Sequence, residues 1–398
     1  MAQPVVSTAS PHTQAIPLGQ VVEEAQVVEE AQLVEDDGSS LEQPLEYEVL
    51  TRTDIVIGEA HWTKVELKAN VTVVKSAERL NSTGGLLIFA PTDSTQTVIG
   101  LPGWNFASRT WEDNAKISEL AKKYKFTVVL PEMGKSVYES SFYPETKKAN
   151  RWAGPEEIPG ARWVGEVVYK YVNDHHPPLA GIFGLSTGGR GAILVPQLYY
   201  QDWQTKPLRA CSMSGTFDLN SLKSTTGEYR IHSAVYGERK EHPERWNQDD
   251  SMKRIEALKG VEILLIHGSK DPYVPVSQSA GFHAAMDKLT ADKRSPKYIF
   301  DKVIGGGHDW RLWSHYVRDC FSFMSNGTQV VPPLKIKAPP PPAPVPPAAP
   351  SADAPADTPA DAAAKEAATT TSEKPAAPAE EGSGKPPVEP PVEAPSPK

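Results

Sequence analysis

Cysteine is almost missing from this chain: 398 residues contain two, Cys211 and Cys320. Two cannot build the multi-bridge framework of a small secreted domain. Both sit in apolar surroundings, so the expectation is a pair of buried thiols. Long apolar runs are also absent. Nothing approaches the roughly 20 residues of a membrane span, and the N-terminus has no basic stretch followed by a continuous apolar one. A cytoplasmic location, without membrane association, is the expectation. No His, Cys, Asp or Glu set shows metal-ligand spacing, so no metal and no cofactor is expected. Basic residues are missing from 1–45, which carry eight acidic ones. The formal net charge of −9 belongs to the ends, since 46–331 contain 33 acidic and 35 basic side chains. That balance offers no electrostatic case for nucleic acid or an anionic membrane.

The organisation follows from the same contrasts. Residues 1–45 read as an acidic, disordered tail in which Val21 to Gln26 recurs as Val27 to Gln32. A period of six keeps the valine pairs on one face of neither a helix nor a strand, so a core gains nothing from it. Residues 332–398 are dominated by Pro and Ala, a composition that stays extended or disordered. A protein partner acting through these tails is one use for them. The 286 residues of 46–331 are enough for one large core. Within them, strands are predicted at 47–57, 65–74, 85–91 and 97–103. Helices at 113–124, 158–172, 190–200, 277–289 and 310–324 then alternate with apolar strands at 126–131, 180–184, 209–213, 261–266 and 297–303. Alternation of this kind implies an α/β fold, with a mainly parallel sheet flanked by helices and the early strands at its edge. Residues 214–258 break the rhythm and read as a loop-rich insertion near the strand C-terminal ends, where such sheets bind ligands.

The chemistry centres on Gly184-Leu185-Ser186-Thr187-Gly188, between an apolar strand and a helix. G-x-S-x-G in that setting places a serine on a strained turn with its hydroxyl exposed, and glycines flank it because side chains would collide there. The same five residues also fit an ordinary glycine-rich turn. A serine needs a base, and the base needs an orienting acid. Asp271 follows the strand at 261–266, and His308 lies in a glycine-rich loop, Gly305-Gly306-Gly307, after the next one. The order serine, acid, histidine puts all three at one sheet edge. Asp271 before Pro272 could instead shape a turn, His308 could cap the last helix, and Asp309 is an alternative acid. An oxyanion needs two N–H donors; Thr187, after the serine, and Trp104 (or Gly103), in the loop after the strand at 97–102, are the candidates. Aromatic residues such as Tyr138, Phe142, Tyr143, Trp152 and Trp163 read as core or as walls of the site.

From about residue 46 to 325 the chain resembles the esterase D group of α/β-hydrolases. The resemblance rests on Gly184-Leu185-Ser186-Thr187-Gly188-Gly189-Arg190-Gly191-Ala192, on Trp246 with Asp249, Asp250 and Ser251, on His267-Gly268-Ser269-Lys270-Asp271, and on Gly306-Gly307-His308-Asp309-Trp310. It implies an α/β-hydrolase fold, with Ser186 as nucleophile, Asp271 as acid, His308 as base, and Trp104 and Thr187 as oxyanion donors. The implied activity is hydrolysis of a small-molecule carboxylic ester or thioester through an acyl-enzyme. Transfer of the acyl group to an alcohol, or a non-catalytic role exercised through the tails, are the alternatives. Two departures stand out: Pro102-Gly103 where the group has His-Gly or Asp-Gly, and Thr187 where Met or Gln is usual.

Overall fold

Short runs such as Phe126-Thr127-Val128-Val129-Leu130 have no polar face to present, so they are stable only with both faces covered. In the computed structural model, which describes residues 45–72, 79–147, 158–203, 207–289, 298–303, 305–332 and 334, they form the inside of one nine-stranded sheet. Its strands are β1 (Glu46–Ile57), β2 (Ala60–Thr72), β3 (Arg79–Phe89), β4 (Gln96–Leu101), β5 (Phe126–Pro131), β6 (Leu179–Leu185), β7 (Leu208–Met213), β8 (Val261–Gly268) and β9 (Tyr298–Val303). They lie in the order β1-β2-β3-β5-β4-β6-β7-β8-β9. The first three pair antiparallel and join the sheet antiparallel through β3 and β5; all later pairs are parallel. Strands β5 and β6 are buried at every position, whereas β1 is largely exposed, as an edge strand should be.

The helices are α1 (Thr110–Ala115), α2 (Ile117–Tyr124), α3 (Pro144–Lys147), α4 (Gly160–Arg162), α5 (Tyr169–His175), α6 (Thr187–Tyr199), α7 (Gly227–Tyr236), α8 (Pro243–Gln248), α9 (Ser277–Leu289) and α10 (Trp310–Asn326). A π-helical turn, Trp163–Val168, joins α4 to α5, and a 3-10 helix, Ser251–Leu258, follows α8. One face of the sheet is covered by Trp163 and Val164, by Ile193 and Val195 of α6, and by Phe282 and Met286 of α9. The other is covered by Trp111, Ile117 and Leu120, and by Trp313, Val317 and Phe321 of α10. Among the described residues no helix is long and apolar enough to cross a membrane. The two predicted tails lie almost entirely outside the described residues.

Three expectations are corrected. The helix predicted over 113–124 is two helices, because Lys116 takes a left-handed φ of 49° and ends α1. The buried Glu112 carboxylate then accepts the N–H and hydroxyl of Ser118 at 2.9 and 2.8 Å, which satisfies the start of α2. Second, 214–258 is not mainly loop, since α7, α8 and the 3-10 helix occupy most of it. Third, Cys211 on β7 and Cys320 on α10 are joined in a disulfide. The sheet and the helix covering it bring the two Cα atoms to 5.4 Å. Disulfides persist where thiols are not kept reduced, so a cytoplasmic location does not follow from this structure.

The bridge closes a loop of 109 residues, and the chain-entropy contribution of so long a loop is about 4–5 kcal/mol. Cys211→Ser/Cys320→Ser should therefore unfold at a lower denaturant midpoint than the oxidised protein, by an amount equivalent to about 2–5 kcal/mol. Equal midpoints for the variant and for wild type in the absence of reductant would show the bridge is not formed.

Candidate active site

Strand β4 has β5 on one side and β6 on the other, so the connection from β4 to β5 and the one from β5 to β6 run in opposite directions and open a crevice at the C-terminal end of β4. Leu101, the last residue of β4, is paired with Gly184 of β6. The loop after β4 and the turn after β6 therefore border the same crevice.

At that turn Ser186 has φ 55° and ψ −123°, a region L-residues rarely enter. The surroundings fix it there. Its N–H donates to the Met213 carbonyl at 2.9 Å, and its carbonyl accepts from Arg190 N–H at 3.1 Å to begin α6. The two motif glycines are required by close approach: a Cβ at 184 would lie 2.1 Å from the Gly188 carbonyl oxygen, and one at 188 only 2.2 Å from that of Leu101. These are backbone atoms and cannot move aside cheaply. Other non-glycine residues with positive φ lie nearby, at Asn105, Tyr138 and Ser214. Each is tied to a neighbouring loop or strand. Asn105 N–H donates to Gly134 at 2.8 Å, Tyr138 hydroxyl donates to Pro102 at 2.8 Å, and Ser214 N–H donates to Ile266 at 2.9 Å.

His308 arrives from the loop after β9. Gly306 carbonyl accepts from Lys270 N–H at 2.8 Å, and a Cβ on Gly268 would meet that same carbonyl oxygen at 2.4 Å. Only a glycine-rich loop packs so closely on the end of β8. His308 Nε2 lies 3.0 Å from Ser186 Oγ, and its Nδ1 lies 2.7 Å from Asp271 Oδ2. The Trp313 ring meets the imidazole edge-on at 4.9 Å, and Trp313 Nε1–H donates to Ser214 Oγ at 3.2 Å.

Asp271 is held as firmly. Its Oδ1 accepts N–H groups from Tyr273 and Val274 at 2.9 and 2.8 Å, and Oδ2 faces His308. His267, fully buried, brings Nε2 within 3.4 Å of Oδ2 and 3.0 Å of the Val274 carbonyl, while Nδ1 lies 2.7 Å from Ser279 Oγ. Burial alone would raise the Asp271 pKa. Hydrogen bonds from His267 and His308, the charge of His308 and the Val274 N–H outweigh it, keeping the carboxyl well below its usual range.

All five residues singled out in the sequence border one place. Thr187 is the first residue of α6, where N–H groups have no intrahelical acceptor. Trp104 lies in the loop after β4, where a Cβ on Gly103 would stand 3.3 Å from Ser186 Cβ. Asp309, the alternative acid, is taken up elsewhere: its Oδ1 accepts Leu312 N–H at 3.1 Å and caps α10. Trp163 and Tyr138 are core residues, Tyr143 is buried against α7, and Trp152 lies outside the described residues.

A cavity of about 690 Å³ opens over Ser186 and His308, with Trp104, Phe106, Tyr273 and Trp310 in its walls. Its roof is α7, through Glu228, Ile231 and Ala234, which the sequence reading passed over. The buried side of α7 carries Glu228 and His232 as well as Tyr229, Val235 and Tyr236, so the apolar period that marks a helix is interrupted. Thr226, whose side chain caps the helix by accepting Tyr229 N–H at 3.2 Å, was the available signal. Among the described residues no group of three or more His, Cys, Asp or Glu is placed to hold a metal.

No family model matches the chain. Among curated proteins it is similar to an acetyl esterase from Caldicellulosiruptor saccharolyticus, at 23% identity over 248 residues, covering 58% of this chain and 84% of that one. It is also similar to dipeptidyl peptidase 4 from Felis catus, at 29% identity over 121 residues. There the match covers 27% of this chain and only 16% of the peptidase. Among solved structures, an S-formylglutathione hydrolase from Agrobacterium tumefaciens superposes with a TM-score of 0.50 at 12% identity, covering 71% of this chain and 99% of that one. Identity that low speaks for the fold alone, and the fold agrees with the sheet order and helical layers described above. The chain has the α/β-hydrolase fold.

Proposed function

We propose that this protein is a serine hydrolase that cleaves a small-molecule carboxylic ester or thioester through an acyl-enzyme. The observation that carries the reading is the hydrogen-bonded chain Ser186–His308–Asp271, at 3.0 and 2.7 Å, opening onto an aromatic-walled cavity. His308 Nε2 takes the Ser186 proton as Oγ attacks the substrate carbonyl. Backbone N–H groups of Thr187 and Trp104 stabilise the oxyanion, aided by the N-terminus of α6. Collapse of the tetrahedral species expels the alcohol or thiol, protonated by His308. Water then attacks the acyl-enzyme with His308 again as base, and the acid leaves. Asp271 orients the imidazole with Nδ1–H toward itself, which leaves Nε2 free to accept.

A fluorophosphonate probe should label the protein once, on Ser186, and abolish hydrolysis of p-nitrophenyl acetate in parallel. Peptide mapping locates the adduct. Labelling at another residue, or none, contradicts the assignment.

A further inference from the structure

Resting on the hydrolase reading, the cavity itself bears on which esters it takes. Glu228, on the first turn of α7, lines it and is 3% exposed. Its Oε1 accepts the Thr216 hydroxyl at 2.6 Å, and its Oε2 has no hydrogen-bond partner among the described residues. Among the described residues no charged donor hydrogen-bonds to it. His232 Nδ1 is 3.5 Å from Oε1, but burial, reinforced by the charge of Arg190, keeps that imidazole's pKa at about 3. The ring is therefore neutral near pH 7, and Nδ1 lies closer, at 3.0 Å, to Glu228's own carbonyl. Arg190 directs its hydrogen bonds to the carbonyls of Val137 and Asp249 and to the Tyr236 hydroxyl. Burial, reinforced by the charge of Asp271, raises the Glu228 pKa, opposed by the Thr216 hydrogen bond and by the charges of His308 and Arg190. A carboxylate left short of solvation in this way gains most from a cation brought to it.

The walls suit the same guest. Trp104, Phe106, Tyr273 and Trp310 present aromatic surface, whose faces attract cations. The other charged side chains of the lining, Arg230 and Asp309, are exposed to solvent. We propose that Glu228 is a specificity residue, and that this cavity selects esters carrying a primary ammonium group near the scissile carbonyl. The ammonium group would donate to Glu228 Oε2 while the apolar part of the ester lies against the rings.

Two p-nitrophenyl esters test this, those of phenylalanine and of 3-phenylpropanoate, which differ only in the ammonium group. Rates are corrected with Ser186→Ala as the blank. The ratio of their kcat/KM values should favour the amino ester in wild type and fall about tenfold or more in Glu228→Gln, as expected for losing a charged hydrogen-bond partner. A ratio that shows no preference, or that Glu228→Gln leaves unchanged, overturns the proposal. Should that variant not fold, wild type alone decides through inhibition. Benzylamine should compete with the 3-phenylpropanoate ester several-fold more strongly than benzyl alcohol, and equal inhibition sinks the idea. Failure of the hydrolase reading looks different, because neither ester is then turned over and the fluorophosphonate does not react.

Discussion

Ser186→Ala is expected to lower kcat for p-nitrophenyl acetate by about 10⁴-fold or more while leaving the fold in place. The change removes the oxygen that lies 3.0 Å from His308 Nε2 and leaves the backbone bonds of the turn in place. The backbone bonds of residue 186, to Met213 and from Arg190, use its N–H and carbonyl. The φ of 55° is as accessible to alanine as to serine. The melting temperature should therefore stay within a few degrees, and circular dichroism should be unchanged. Turnover at the wild-type rate in a folded Ser186→Ala protein would remove residue 186 from the reaction.

Asp271→Asn should cost about 10⁴-fold in kcat, for a reason that lies in two backbone N–H groups. Tyr273 and Val274 donate to Oδ1 at 2.9 and 2.8 Å. In the variant they keep the amide oxygen at that position and so turn its NH₂ toward His308. The imidazole must then present a bare Nδ1 to the amide and carry its proton on Nε2, where it cannot accept from Ser186. His267 Nε2, 3.4 Å from the same position, meets a donor where it had an acceptor. The variant should also change acid stability. The folded-state pKa of Asp271 is depressed, so its contribution to stability is present above the unfolded value of about 3.9 and fades as pH falls below it toward the native pKa. Asp271→Asn should flatten that acid limb, which denaturant midpoints between pH 3 and 7 would reveal. An Asp271→Asn enzyme that keeps its rate would reassign the acid.

Much of this molecule is written locally. Runs such as Phe126–Pro131 and Leu179–Leu185 are apolar at nearly every position, and a segment that short can bury both faces only inside a sheet. The turn at Gly184 to Gly188 is legible because steric conflict over about 2 Å admits no residue but glycine at its ends. Ser186, Asp271 and His308 could be ordered from their places after β6, β8 and β9, since parallel strands deliver their C-terminal ends to one edge. The resemblance to the esterase D group reinforced these assignments without extending them to the cavity.

Other features left a faint local trace or none. The break at Lys116 depends on a buried carboxylate six residues ahead of its partner Ser118. Helix α7 was hidden because its buried side carries Glu228 and His232, polar groups tolerated where Thr216 and backbone oxygens receive them. The pairing of Cys211 with Cys320 spans 109 residues and follows from packing α10 across the sheet. By itself, then, the sequence determined the elements, the strained serine turn and the order of the three polar side chains, because these depend on neighbours in the chain. The tertiary structure alone decided which distant residues share a cavity, and set the buried Glu228 carboxyl there with the Thr216 hydroxyl as its hydrogen-bond donor, because burial and proximity are properties of the assembled sheet and its helices.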